Sequence, residues 1–206
     1  MTTYPNPCRY VIRHARPCDI PAVRAMQARS MWTLGADFYT GVEIANFMNT
    51  FGTMDDALVT EGHFFFAEDP SGRVLASGGW SRARPGYAEG MSESGPAAAM
   101  PTVRSVFVDP GIARRGVGSA MMRRVEDDAA LHGVRLLGLT ATLSGAPLYA
   151  GLGYQVQEAT QITFPDQTRF GCVKMTKLLA VNLDAGCGIE RADSGNRRFD
   201  VGRGSQ

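Results

Sequence analysis

Four cysteines and three histidines are scattered through the 206 residues with no C-x-x-C pair and no metal-ligand spacing. Cys8, Cys18, Cys172 and Cys187 stand far apart, and His14, His63 and His132 cluster in sequence neither with them nor with each other. A metal site is therefore not expected, and reduced thiols in a cytoplasmic protein are. Charge of one sign is also lacking: 21 basic residues against 20 acidic ones give a net charge of +1. No global field draws the chain to nucleic acid or to an anionic membrane, so neither is expected as a partner. No apolar run approaches the roughly 18 residues that a membrane helix needs. The stretch from Met1 to Pro17 lacks an apolar core followed by a small-residue cleavage site, and no signal peptide is expected. What remains is ordinary for a globular domain, 44% hydrophobic and 20% charged, and long enough to bury one proper core.

Local patterns divide the chain into elements. Arg9–Arg16 alternates as a strand, with Tyr10, Ile12 and His14 on one side. Asp19 is placed to cap a helix with Pro21 in its first turn and Val23, Met26, Gln27 and Ser30 at helical period, ended by Gly35. A second helix opens at Thr40 and carries Val42, Ile44, Phe47 and Met48. "HFFFAED" and "VLASGGWS" read as strands joined by the tight turn Pro70–Arg73. Between Arg82 and Met100 the chain is rich in Gly, Ser, Pro and Ala, a long loop of the kind that is functional or disordered. Beyond residue 100 the order is strand, helix, strand, short helix, and two closing strands. The expected organisation is an extension at 1–8, a single domain at 9–179 and a tail at 180–206 that lacks a hydrophobic period.

The most informative stretch is "VFVDPGIARRGVGSAMMRRVE", Val106–Glu126. A β-branched run ends at Asp109-Pro110, and two arginines and a Gly-x-Gly precede an amphipathic helix. The first amides of a helix lack intrahelical acceptors and carry partial positive charge, which suits phosphate. Gly116 and Gly118 let ligand oxygens approach the backbone, and Arg114 and Arg115 add charge. Val117, Met121, Val125 and Ala129 form the apolar stripe, with Arg123, Arg124, Asp127 and Asp128 expected to face water. Taken alone, the motif is compatible with a plain turn and two solvated arginines. The Walker and dinucleotide patterns are both unmet, Met121 standing where the latter needs a third glycine.

In its context, with the strand before it and Asp109-Pro110 in register, this stretch resembles the GNAT superfamily of acyl-CoA-dependent N-acetyltransferases, over about Arg9 to Leu179. The family signature Gln/Arg-x-x-Gly-x-Gly/Ala corresponds here to Ala113, Arg114, Arg115, Gly116, Val117 and Gly118, with Ala113 replacing the usual Gln or Arg. The resemblance implies an α/β (α+β) single-domain fold: a mixed, mostly antiparallel twisted sheet of about six or seven strands, flanked by helices and splayed at a central parallel pair. It implies acetyl-CoA as acyl donor, with no metal. The pyrophosphate would lie on Ala113–Ser119 and the pantetheine along Val106, Phe107 and Val108. Relatives are often dimers, so a homodimer is an open expectation.

A second motif, "TLSGAPLYAGLGY", is similar to the family's helix after its fifth strand. Tyr149 matches the tyrosine that protonates the departing thiolate, and Ser144 stands where relatives often have an Asn that contacts CoA. A phenol with a reference pKa near 10 stays protonated at neutral pH, as an acid should; the alternative is a core ring with a satisfied hydroxyl. The fourth strand carries no carboxylate to act as base. Arg104 occupies that stretch, and marks either an anionic group on the acceptor or a local ion pair. Glu89, Glu93, His63 and water are the remaining bases to consider. Trp32, Tyr39 and Trp80, with Phe38, are candidates for an aromatic wall, although each residue type is more often core. The expected reaction is direct transfer to a primary amine, most simply of a small molecule. A non-catalytic CoA-binding module and a protein or peptide N-acetyltransferase are the alternatives. No cysteine is assigned a catalytic role, and Cys172 is expected to pack.

Overall fold

Phe64, Phe65, Phe66 and Ala67 are all buried, because their strand is covered on both faces. Phe65 and Ala67 turn to one cluster, Phe64 and Phe66 to another, and the sheet that separates the clusters organises the molecule. The computed structural model describes residues 9–90 and 100–180. Both the 1–8 extension and the tail beyond 180 lie outside them, as do residues 91–99.

In chain order the elements are β1 (Val11–His14), α1 (Ile20–Leu34), α2 (Gly41–Phe51), α3 (Ala57–Thr60), β2 (Phe64–Glu68), β3 (Val74–Ser81), β4 (Thr102–Val108), α4 (Val117–Leu131), β5 (Leu136–Thr142), α5 (Ala146–Gly151), β6 (Gln155–Thr163) and β7 (Arg169–Leu178). Among the described residues the seven strands form one sheet in the order β1-β2-β3-β4-β5-β7-β6. Every neighbouring pair is antiparallel except β4–β5, which is parallel. That pair shares a single register position, Thr102 opposite Gly138, and the strands diverge beyond it.

Local chemistry explains the helices. Thr40 and Glu43 form a reciprocal capping box at α2, the Thr40 side chain accepting from the Glu43 amide. Asp19 precedes α1 but does not cap it. Its carboxylate instead takes both outer nitrogens of Arg13, at 2.8 and 3.0 Å, and the Arg16 amide at 2.8 Å, tying β1 to the start of the helix. The short α3 was not expected from the sequence; at four residues it has no room to show a period.

Helix α4 covers one face of the sheet and buries Val117, Met121, Met122, Val125 and Ala129 against it. Gly78 in β3 makes this approach possible, since a Cβ there would lie 3.1 Å from Met121 and 3.2 Å from Val106. The opposite face takes α1 and α3, where Val23, Met26, Met54 and Leu58 meet Phe64 and Phe66. A third cluster joins Met31, Tyr39 and Ile44 to Ile162, Phe164, Phe170 and Cys172 of the β6–β7 hairpin. Cys172 is packed there, as expected, and burial pushes its thiol up to about 12.

Asp128 corrects the reading of the α4 surface. It does not face water: it is 5% exposed. Trp80 Nε1 donates to its Oδ2 at 2.8 Å, and His63 Nδ1 lies 2.8 Å from the same atom. The helical period itself places position 128 inward, three residues after Val125 and seven after Met121, and a buried donor pair makes the carboxylate tolerable there.

Candidate active site

The exit from β4 is built first. Asp109, 2% exposed, accepts from the Gly111 amide at 2.9 Å and from Arg29 and Arg73, and its own amide donates to Leu75 O at 2.8 Å. Burial alone would raise its pKa; the Gly111 amide and the two guanidiniums outweigh that and hold it below the ordinary carboxylate range. This anchor fixes a 3₁₀ turn at Pro110–Ile112 and hands the chain to the glycine turn.

In that turn Arg114 has φ +65° and Gly116 φ +84°, both left-handed. Gly116 is the N-cap of α4 and offers no side chain to its free amides. Left-handed residues at the mouth of a helix form a concavity of outward amides that suits an anion. Gly118 has a different reason to be glycine: a Cβ there would sit 3.1 Å from Val108 and 3.4 Å from Leu148. Strand β4, α4 and α5 thus meet at a point that only a bare backbone fits.

The divergence of β4 from β5 opens a cleft of about 1160 Å³. It runs from this turn, past Val106, Phe107 and Val108, to Arg104, Tyr87, Phe51 and Asp55 at the other end. At its centre β4 bulges against β3, where Ser77 and Gly79 face Phe107 and Arg104. Ser105 is held there at φ +53°, a strained value for a residue with a side chain. A buried chain of hydrogen bonds holds the bulge: Thr53 Oγ1 donates to Gln27 Oε1 (2.7 Å), Gln27 Nε2 to Ser77 Oγ (3.0 Å), and Ser77 Oγ to Ser105 O (2.9 Å). A polar Gln27 on the buried side of α1 was the one sequence signal for this network.

Of the residues singled out from the sequence, Val106, Phe107, Val108, Ala113, Arg114, Gly116, Gly118, Ser119, Ser144, Tyr149 and Arg104 line the cleft together. Arg115 is exposed and Val117 sends its side chain into the core, so neither lines it. Ser144 Oγ lies 3.1 Å from Thr142 Oγ1, a second cleft hydroxyl that the sequence did not single out. The Tyr149 side chain is 8% exposed, with its ring edge-on to Tyr154 at 5.8 Å. Burial, and Tyr87 after it, push its phenol well above the usual tyrosine value. Among the described residues nothing hydrogen-bonds that hydroxyl.

The aromatic wall differs from expectation. Trp80 is 1% exposed on the α4 side, its indole satisfied by Asp128. Tyr39 is a clamp: its hydroxyl donates to Gly171 O (2.7 Å) and accepts from the Leu143 amide (2.6 Å), and its ring stacks on Phe170 at 3.9 Å. Trp32 is exposed and stands away from the cleft. Phe47, Phe51 and Tyr87 supply the aromatic surface instead. Of the candidate bases, His63 packs against Trp80 and His132 rather than the cleft, and Glu93 and the side chain of Glu89 lie outside what the structure describes.

Two of the three histidines, His63 and His132, do cluster in space, contrary to their sequence spacing. His63, Asp128 and His132 each present a ligand-capable atom within 4.8 Å of the others. Asp128 Oδ2 already takes the Trp80 indole and His63, and His132 Nδ1 lies 2.8 Å from the Asp128 backbone oxygen. The arrangement reads as a satisfied buried acid. No helix among the described residues is long and apolar enough to cross a membrane.

A sheet splayed beside a glycine turn at a helix mouth defines a class, and solved structures share it. A GCN5-related N-acetyltransferase of Rhodopseudomonas palustris aligns over 82% of this chain and 95% of its own, at 20% identity and TM-score 0.60. The PaiA N-acetyltransferase of Thermoplasma acidophilum, solved in complex with coenzyme A, aligns over 82% and 99% at 13% identity and TM-score 0.59. YncA of Salmonella typhimurium, an acetyltransferase solved with acetyl-CoA, aligns over 83% and 94% at 18% identity and TM-score 0.56. No curated protein matches the sequence. Residues 60–156 match the family model of the acetyltransferase (GNAT) domain. Over that region the chain matches an acetyltransferase (GNAT) domain, and the fold of its described residues is the one these N-acetyltransferases share.

Proposed function

We propose that the protein transfers an acetyl group from acetyl-CoA to the primary amine of a small molecule, by direct attack in a ternary complex. The observation that carries this reading is one continuous cleft joining the glycine turn, the β4 bulge and the Tyr149 hydroxyl. The amides at the mouth of α4, with Arg114, hold the donor's pyrophosphate. The edge of β4 at Val106–Val108, left free where β5 diverges, pairs with the pantetheine amides as an added strand would. At the bulge, main-chain N–H groups stabilise the oxyanion of the tetrahedral intermediate. Tyr149 gives its proton to the departing sulfur. Its burial keeps the phenol protonated throughout the neutral range, and among the described residues no partner competes for the hydroxyl. The acceptor loses its proton to water, since β4 offers no carboxylate. Of the two acids that the described residues place on the cleft wall, Asp56 is paired with Arg24 at 2.7 Å and Asp55 caps the Ala57 amide.

Release of free thiol from acetyl-CoA with a panel of amines tests the activity, and Tyr149→Phe tests the acid. That variant removes one oxygen and keeps the ring contact with Tyr154. It is expected to lower kcat about 100-fold, at the lower end for a general acid, with CoA affinity by calorimetry unchanged. Parallel loss of CoA affinity would make Tyr149 a structural residue, and CoA binding with no turnover on any amine would make the protein a binding module.

A further inference from the structure

Arg104 leaves the cleft's chemistry unfinished. Its side chain is 9% exposed, yet its Nη2 is buried without a hydrogen-bond partner. Nε donates to Thr102 Oγ1 at 3.2 Å, and among the residues whose side chains are described no carboxylate lies within ion-pair distance of the guanidinium. Burial pulls its pKa down, and Tyr87, Glu61 and Asp55 oppose that without cancelling it. A buried charge without a counter-ion is costly, and structures that keep one normally use it.

Building on the acetyl-transfer reading above, we infer that the acceptor is an amine that also carries a carboxylate, bound by the open face of Arg104 with the amino group toward the bulge at Ser105. The order of residues along β4 supports this. Val108 adjoins the phosphate turn, Val106 and Ser105 form the bulge, and Arg104 follows immediately on the side away from the phosphates. The Thr102 hydroxyl draws the guanidinium further back along the strand. An anion on Arg104 therefore sits beyond the reacting centre and not on the donor. With Nε engaged, Nη2 is left as a charged donor without a partner, and the carboxylate of an acceptor is the group that complements it. The charge matches as well. The other arginines lining the cleft are Arg24, which is paired with Asp56, and Arg114 at the phosphate turn. Among the described residues, one cation without an ion-pair partner at the acceptor end suits a monoanion, and the apolar surface of Phe51, Met54 and Leu58 beside it suits an apolar body. Cationic acceptors such as polyamines and protein lysines are disfavoured by the same charge.

The test compares phenylalanine with phenylalaninamide as acceptors, by kcat/KM for thiol release, in the wild type and in Arg104→Met and Arg104→Lys. The wild type is expected to prefer the carboxylate by about 10- to 100-fold, the range of a charge-assisted hydrogen bond. Arg104→Met abolishes the preference, and Arg104→Lys retains part of it. A binding arm is independent of turnover: N-acetylphenylalanine against N-acetylphenylalaninamide, measured by calorimetry with CoA present. If neither acceptor turns over but the carboxylate ligand still binds selectively through Arg104, the subsite stands and the catalytic reading fails. Equal use and equal binding of acid and amide by the wild type would overturn the inference, as would a preference that survives in Arg104→Met. The Met variant should also melt higher than the wild type, since it removes an uncompensated buried charge. A lower melting temperature would mark Arg104 as a structural residue and count against the subsite.

Discussion

Gly116 and Gly118 stand two residues apart and answer to different physics, which makes them a sharp test of the phosphate turn. Gly116 has open space around the position of a Cβ but a left-handed φ of +84°. Gly118 carries no such φ and has no space, with Val108 at 3.1 Å and Leu148 at 3.4 Å. In Gly116→Ala the cost is torsional, about 1–2 kcal/mol for an L-residue held left-handed, and no neighbour can relieve it. In Gly118→Ala the overpacking costs about 1–3 kcal/mol, offset by about 1 kcal/mol because alanine suits a helix better than glycine. Trimming the obstructing side chain by Val108→Ala should therefore rescue the second and not the first. A double-mutant cycle in urea, read as ΔG of unfolding, is the assay. The Gly118/Val108 pair should couple by at least about 0.5 kcal/mol, while Gly116/Val108 adds within about 0.5 kcal/mol. Each kcal/mol corresponds to a shift in Tm of about 2–4 °C at this chain length. Both single variants should weaken CoA binding, since both alter the amides at the mouth of α4. If Val108→Ala rescues the Gly116 variant as well as the Gly118 variant, the division into torsion and space is wrong. If neither variant affects CoA, the turn does not hold the phosphates.

Two further outcomes follow from the buried acids. Asp128→Ala leaves the Trp80 indole and His63 without their acceptor; at about 1–3 kcal/mol per orphaned donor the loss is about 2–6 kcal/mol. CoA affinity should not change, because the cluster does not line the cleft. Unfolding curves beside calorimetry check this, and an undiminished Tm would refute the role of Asp128 as a core tie. Asp109, with its folded pKa held below the unfolded value near 3.9, stabilises the protein fully above that pH. The contribution fades as pH falls through the folded pKa, so the difference in stability between wild type and Asp109→Asn should be flat from pH 5 to 7 and shrink below pH 4. A difference that grows on acidification would reverse the sign of this assignment.

The strands and long helices could be read in advance because each carries a local cause: the alternation of β1, the Thr40–Glu43 box of α2, the apolar stripe of α4. The glycine turn was legible for the same reason, since cap, dipole and free amides are all local. Polar-tipped residues were not. Trp80, Tyr39 and Asp128 are buried because partners distant in sequence satisfy them, and nothing near them in the chain announces those partners. His63 and His132 meet only through the packing of α4 on β2 and β3. In Arg104 the residue type suggested both an anionic ligand and a local ion pair; that no described side chain offers it a carboxylate separates the two.

Tyr39 has a mechanical consequence. The sheet is two panels, β1-β2-β3-β4 and β5-β7-β6, joined at one rung between Thr102 and Gly138. Such a joint resists shear poorly and leaves the gape between the panels to be set elsewhere. The Tyr39 hydroxyl fastens the second panel at Gly171 and the start of the β5–α5 loop at Leu143 to the segment between α1 and α2. It works as a stay rope between two tent walls, so the aperture offered to donor and acceptor is governed by a residue that touches neither.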